Sequence, residues 1–369
     1  MTSFDVLVRG AGIVGQSLAL ALSRLGLQVA LRGEPPRTDA EPDVRAYALN
    51  ATSVALLQRL KVWDALPEAS RTAVHEMHIE GDAGGSVLEF SAWEQRVGEL
   101  AWIVDAAVLE RELASALRFA PHVTLTREDV QAPLVALCEG KASGARESLG
   151  IAFERQPYRH RAIAARLTAS QPHRNVARQW FRSPDVLALL PFDTPQPLSS
   201  YALVWSLPDE RAEALLALGE CGFEQALVDA TGRAAGELSL ASPLASWPLM
   251  LARAESSSGP GWVLLGDAAH VVHPLAGQGL NLGLADVVVL ARVIAEREPW
   301  RSLGDQKLLR RYSRERTAPT WAMGQLTDGL LHLFAHSAPG VRELRNRGLT
   351  LVNHLSPLKR WLTARALDS

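Results

Sequence analysis

Two groups of residues in this chain have types and spacings that could do chemistry. The first is Gly10-Ala11-Gly12-Ile13-Val14-Gly15, a GxGxxG run between an apolar stretch and residues of helical period. Gly10 would allow a tight turn, Gly12 would let backbone approach a pyrophosphate, and Gly15 would let helix and strand pack closely. The helix start offers N–H groups and a positive dipole end to phosphates, so the pattern points to a dinucleotide; a merely glycine-rich turn is the alternative. The second group is Gly266-Asp267, at the end of an apolar run. An ionised Asp at the carboxyl end of a strand can accept hydrogen bonds from a polyol such as a ribityl chain. Gly277, Gly279 and Gly283 follow and leave backbone exposed near a helix start, which stabilises negative charge developing on a bound ring. A reduced flavin carries that charge at its N1–C2=O edge. A glycine-rich loop with an N-capping Asp would look the same. His270 and His273 invite a metal, but two histidines with no clear third ligand make a thin site, and none is assigned.

The elements that must position these groups are readable in outline. Residues 4–8 form a short buried strand, and Leu18, Ala21, Leu22 and Leu25 give the next helix one apolar face. Gly26 closes that helix and residues 27–31 make a second strand, completing a βαβ opening. Residues 74–79 and 87–90 predict a hairpin through Gly81-Asp82-Ala83-Gly84-Gly85, and 102–117 a strand running into a helix. Between 154 and 249 the pattern predicts short strands (162–167, 188–190, 201–205) and one helix over 208–218. Residues 262–265 form a buried strand, the chain is helical after Gly279, and it is predominantly helical from Arg310, with a turn at 337–340.

Composition narrows the class. The chain has 369 residues, 47% of them hydrophobic and 21% charged, enough to bury a full core in two domains or one large α/β body. With 38 Lys+Arg against 40 Asp+Glu there is no basic excess to engage nucleic acid. Cys138 and Cys221 are the only cysteines, which excludes a disulfide framework and fits a reducing compartment. The N-terminus shows no signal-peptide pattern, and Arg24, Asp267 and Asp286 cut the most apolar stretches below spanning length. A cytoplasmic protein is expected.

Four stretches, GAGIVG (10–15), DVRAYALNATSVALLQRLKVWDAL (43–66), LLGDAAHVVHPLAGQGLNLGLADV (264–287) and NHLSPLKRWL (353–362), together resemble the class A FAD-dependent aromatic hydroxylases, and within them the ubiquinone-biosynthesis hydroxylases. The resemblance implies an α/β fold: a Rossmann-like FAD-binding domain of the glutathione-reductase/para-hydroxybenzoate-hydroxylase type, an interleaved β-sheet substrate domain and a helical C-terminal tail. It divides the chain into 1–72, 98–153 and 250–318 for FAD, 73–97 and 154–249 for substrate, and 319–369 for the tail. Gly10, Gly12, Ile13, Val14 and Gly15 would hold the pyrophosphate, with Arg45 pairing to it through its planar fork. Glu34 is the candidate for the adenosine ribose, Glu139 belongs to a motif linked to FAD and NAD(P)H, and Gly266 with Asp267 would hold the ribityl chain. Pro274, Gly277, Gln278, Gly279, Leu280 and Asn281 would border the isoalloxazine ring, the first four as the catalytic loop, with no general base assigned. The implied reaction uses NAD(P)H as a transient reductant and O₂, through a flavin C4a-hydroperoxide, to hydroxylate a phenolic ring of a polyprenylated ubiquinone precursor.

The chain departs from the family pattern at several points. Gly33 stands where the second strand usually ends in an acid, and Cys138-Glu139-Gly140 replaces Asp-Gly, with Ser143 and Arg146 retained. Residues 124–135 look too short for a hairpin that relatives carry. Ala106 and Ala107 replace polar residues near the flavin, and Arg9 puts a charge where an apolar residue is usual. These changes keep open a second expectation: a divergent, non-catalytic paralogue that binds FAD weakly and serves as an assembly or lipid-presenting subunit. Residues 340–369 carry six Arg/Lys against Glu343 and Asp368, interleaved with leucines and Trp361. Such a tail could rest on an anionic membrane surface or a pathway protein, or be an ordinary terminal helix. Oligomeric state is left open.

Overall fold

The computed structural model describes residues 3–33, 43–81, 87–128, 130–272 and 278–335. Val6–Arg9 is a run of buried apolar residues closed by an arginine, as expected of a strand covered on both faces. It pairs in parallel with Val29–Arg32 on one side and with Leu134–Leu137 on the other. Trp262–Leu264 and Ser258–Gly259 extend the sheet past Leu134–Leu137, and Val123–Thr126 extends it past Val29–Arg32, giving six strands. The chain leaves Val6–Arg9 toward one neighbour first and reaches the other only after about a hundred residues. That reversal opens a crevice at the strands' carboxyl ends, where α/β sheets bind ligands.

The helix Ile13–Ser23 is buried from Gly15 to Ser23, between the sheet and the helices Ala106–Leu117 and Gln278–Ala295. Leu18, Leu22, Leu109, Leu113, Val287 and Leu290 meet there in one apolar core.

A second sheet of nine strands runs His270–Val271, Ala245–Ala254, Phe153–Ala169, Ser200–Pro208, Asp185–Phe192, Val176–Arg182, Glu76–Glu80 and Val87–Ser91, with Leu238–Leu240 also paired to Phe153–Ala169. Its helix-covered face buries Trp180, Trp205, Phe223 and Leu227. A small sheet of Ala46–Leu49, Ala101–Asp105 and Arg71–Val74 completes the set.

Several expectations change. The strand expected over 162–167 is the inner part of a 17-residue strand, Phe153–Ala169. Its first half is largely exposed and rich in arginine, so apolar patterning marks only the buried half. A helix at Gly219–Thr231 was not expected; Phe223, Leu227 and Val228 bury one face under the sheet. The hairpin pairs Glu76–Glu80 with Val87–Ser91, but Val74 belongs to a separate strand beside Ala101–Asp105. The helix Gln306–Ala335 runs unbroken through position 318. The turn at 337–340 and the basic tail lie outside the described residues. No helix among the described residues is long and apolar enough to cross a membrane.

Candidate active site

The crevice begins at the glycine loop. Gly10 has φ +106°, and a Cβ there would stand 2.3 Å from the carbonyl oxygen of Cys138. A Cβ on Gly15 would stand 1.8 Å from the Gly10 carbonyl oxygen. Only glycine lets the first strand, the Cys138 segment and the helix approach this closely. Gly12 caps the helix and is exposed, with open space where a side chain would be. Ile13 and Val14 turn their side chains to the core, so what they can offer an anion is first-turn backbone N–H. The loop is a cradle that fits a pyrophosphate.

Gly33, at the end of the second strand, has no room for the acid usual there: a Cβ would lie 2.5 Å from the Ala11 Cβ. The glycine is therefore a packing requirement of the loop. Glu34 lies outside the described residues.

Gly266–Ala268 forms a tight turn after the strand Trp262–Leu264, and His270–Val271 then joins the second sheet. Asp267 consequently sits at the seam between the two large sheets. Its side chain reaches the crevice surface while the surrounding protein crowds it. That crowding pushes its pKa up, against the pull of His270, Lys141 and Arg45. Beneath the turn lies Asp286, fully buried, accepting from the Gly266 N–H at 2.9 Å, pairing with His270 Nε2 at 2.8 Å, and accepting from Arg316 Nε at 2.6 Å. Burial raises the Asp286 pKa, but His270, Arg316 and the Gly266 N–H outweigh it, and the carboxyl sits below its ordinary value. Gly266 and Gly283 both pack on Val14, which locks the turn and the helix Gln278–Ala295 onto the glycine loop. Arg146, also buried, donates from Nη1 to the Ala268 carbonyl at 2.9 Å and lies 3.6 Å from the Phe153 ring centroid. His270 and Asp286 also border a cavity of about 330 Å³ between the strand Ala245–Ala254 and the helix Gln306–Ala335.

The far wall holds Arg45, paired with Asp43 through Nε at 2.9 Å and Nη2 at 2.7 Å. Hydrogen bonding to Asp43 raises the Arg45 pKa further, so the fork stays charged at the crevice edge. Beside it, burial pushes the Tyr47 phenol up to about 12. Arg166, from the second sheet, donates from Nη2 to the Arg45 carbonyl at 2.9 Å and to Asp105 at 3.0 Å, with its guanidinium over Phe192. Asp105 in turn caps the helix that begins at Ala106 by accepting from the Val108 N–H. Ala106 is buried, and Ala107 is exposed at the same helix start.

Asn281 behaves differently from the role first given it. Its side chain is buried, accepting from the Asn50 N–H and the Ser53 hydroxyl and donating to the Ala48 carbonyl. It pins the Arg45-bearing segment to the helix Gln278–Ala295, in whose first turn Gly279 and Leu280 offer backbone. Pro274, Gly277 and His273 lie outside the described residues. Glu139 is bonded to Arg9 at 3.0 Å, so two departures from the family pattern form one ion pair. The structure thus brings Gly10, Gly12, Gly15, Glu139, Gly266 and Asp267 to one crevice, with Arg45 at its edge. Sequence reasoning missed Arg166, Arg316 and the role of Asp286. A lone acid inside an otherwise apolar helix was the available signal for the last.

Comparison with known proteins shows the family. A family model described as an FAD binding domain matches residues 116–327. The chain is 30% identical to the ubiquinone hydroxylase UbiL of Rhodospirillum rubrum over 99% of its own length and 90% of the relative's. The chain belongs to the FAD-dependent ubiquinone-biosynthesis hydroxylases. It is also 30% identical to the 3-demethoxyubiquinol 3-hydroxylase of Escherichia coli, covering 98% of each chain. The solved structure of the p-nitrophenol 4-monooxygenase PnpA from Pseudomonas putida shares the fold, with a TM-score of 0.77 at 17% identity over 99% of this chain and 98% of that one. The protein is an FAD-dependent aromatic hydroxylase, and nothing in its relatives favours a non-catalytic paralogue.

Proposed function

We propose that this enzyme hydroxylates an electron-rich phenolic ring of a ubiquinone precursor carrying an isoprenoid tail, with NAD(P)H as a transiently bound reductant. The observation that carries the reading is the position of Asp267 on a turn shared by both large sheets. Bound FAD would supply the redox chemistry, with two electrons drawn from NAD(P)H, one atom of O₂ entering the ring and the other leaving as water.

The chain's own residues do the rest. The glycine loop and the first turn of its helix bind the pyrophosphate through backbone N–H groups, with Arg45 reinforcing them at the crevice edge. Asp267 accepts hydrogen bonds from ribityl hydroxyls, which requires its ionised form. The first turn of the helix Gln278–Ala295 would offer its N–H groups and dipole end to the ring edge that gains negative charge. Arg166 and Phe192 clamp the second sheet onto the Arg45 segment and help to keep water out of the seam. No side-chain base is assigned; a phenol activated by its own hydroxyl needs little further help.

The same reading has the enzyme in the cytoplasm, with the basic segment 340–369 against an anionic membrane surface where a tailed substrate resides. Complementation of strains each lacking one ring-hydroxylation step, with the quinone identified by mass, tests the substrate. Restored ubiquinone in one of them supports the reading, and restoration in none contradicts it. For the tail, truncation after Val352 is expected to abolish liposome binding while flavin content is kept.

A further inference from the structure

The Arg9–Glu139 pair stands at the carboxyl ends of two neighbouring parallel strands, across the point where the sheet's order reverses. Arg9 is in register with Leu137, and the Cys138 N–H donates to the Arg9 carbonyl at 2.7 Å. The backbone of Glu139 presses on the first glycine of the loop, its nitrogen 2.8 Å from where a Gly10 Cβ would be. The carboxylate is therefore fixed beside the phosphate cradle. It is also fixed by its own bonds: Oε2 accepts from the Ser143 hydroxyl at 2.7 Å and from the Ala145 N–H at 3.1 Å, while Oε1 takes Arg9 Nε. Burial raises the Glu139 pKa, but these three donors outweigh it, so the group is held ionised.

A fixed anion next to a pyrophosphate site repels its ligand, and neither side chain is more than about a quarter exposed, so solvent screens the charge only partly. Arg45 is paired with Asp43 and acts from the far edge of the crevice. Buried Arg146 also feels Glu139 through space but donates from Nη1 and Nη2 to the Ala268 and Lys141 carbonyls. Among the described residues, Arg9 is the cation hydrogen-bonded to Glu139. We propose that Arg9 is a positioning residue for the cofactor: its guanidinium, bonded to Glu139, offsets the field of that carboxylate at the phosphate cradle. This needs FAD in the crevice but no particular ring substrate, so it stands or falls separately from the substrate assignment.

The test is FAD affinity of the apoprotein, read by quenching of flavin fluorescence, with circular dichroism to confirm folding. Arg9→Gln is expected to weaken FAD binding roughly tenfold or more at low salt, the loss shrinking as ionic strength rises. Adding Glu139→Gln to Arg9→Gln is expected to bring affinity back to within about threefold of the unmodified protein. Arg9→Lys, which keeps the charge, is expected to stay within about threefold as well, and it serves if Arg9→Gln does not fold. An unchanged affinity in Arg9→Gln, a double variant as weak as the single, or a roughly tenfold loss in Arg9→Lys would each overturn the proposal.

Discussion

Two buried aspartates, one in each large sheet's territory, show how differently the halves of this enzyme treat charge. Asp286, under the cofactor turn, is met by a backbone N–H, a histidine and an arginine, and its pKa is lowered. Asp185, in the second sheet, has a 3.0 Å partner in the half-exposed Arg211 and one oxygen with no hydrogen-bond partner; burial pushes its pKa up to about 6. The first charge is fully answered because a turn carrying Asp267 must not move. The second is left partly unanswered, with no such network around it.

Breaking the first site should have the largest effect. Asp286→Asn leaves Arg316 buried without its counter-charge and is expected to cost about 3–5 kcal/mol in urea unfolding. It should also weaken FAD binding through the Gly266 turn. A loss below about 1 kcal/mol would mean the network is not structural.

Asp267→Ala should leave folding intact and weaken FAD binding by roughly 10–100-fold, the worth of a charge-assisted hydrogen bond. Retained flavin would remove Asp267 from its role.

The second site should answer to pH. A carboxyl raised from 3.8 to about 6 contributes stability that is fully present below about pH 4 and lost as pH rises through about 6. Asp185→Asn should therefore flatten the stability profile over that window by on the order of 2 kcal/mol. Asp286 has the opposite sign: its contribution is present above the ordinary carboxylate range and lost as pH falls through its lowered value. An unaltered profile in Asp185→Asn would collapse the contrast. The smallest effect belongs to Asn281→Ala, about 1–2 kcal/mol from unpaired groups at Asn50 and Ala48, measured as a shift in unfolding midpoint.

The same contrast marks how much could be read from sequence. The glycine loop was legible because backbone contact with Cys138 and Gly10 leaves no other residue type possible at Gly10 and Gly15. The turn at Asp267 was legible from an apolar strand ending in Gly-Asp. What holds that turn was not: Asp286 and Arg316 are 30 positions apart, and no local period links them. Arg166 reaches Asp105 across 61 positions for the same reason. Beside the second sheet, the helix Gly219–Thr231 is enforced by tertiary burial of Phe223 and Leu227, which no local pattern announces. Arg9 and Glu139 each read as a departure until their contact made them one feature.

The central claim is that the crevice at the seam of the two sheets holds FAD for turnover. Flavin content and its response in the purified protein test it most directly. About one FAD per chain, bleached by NAD(P)H under nitrogen and restored by air, is the predicted result. A colourless protein that cannot be reconstituted with FAD would contradict it.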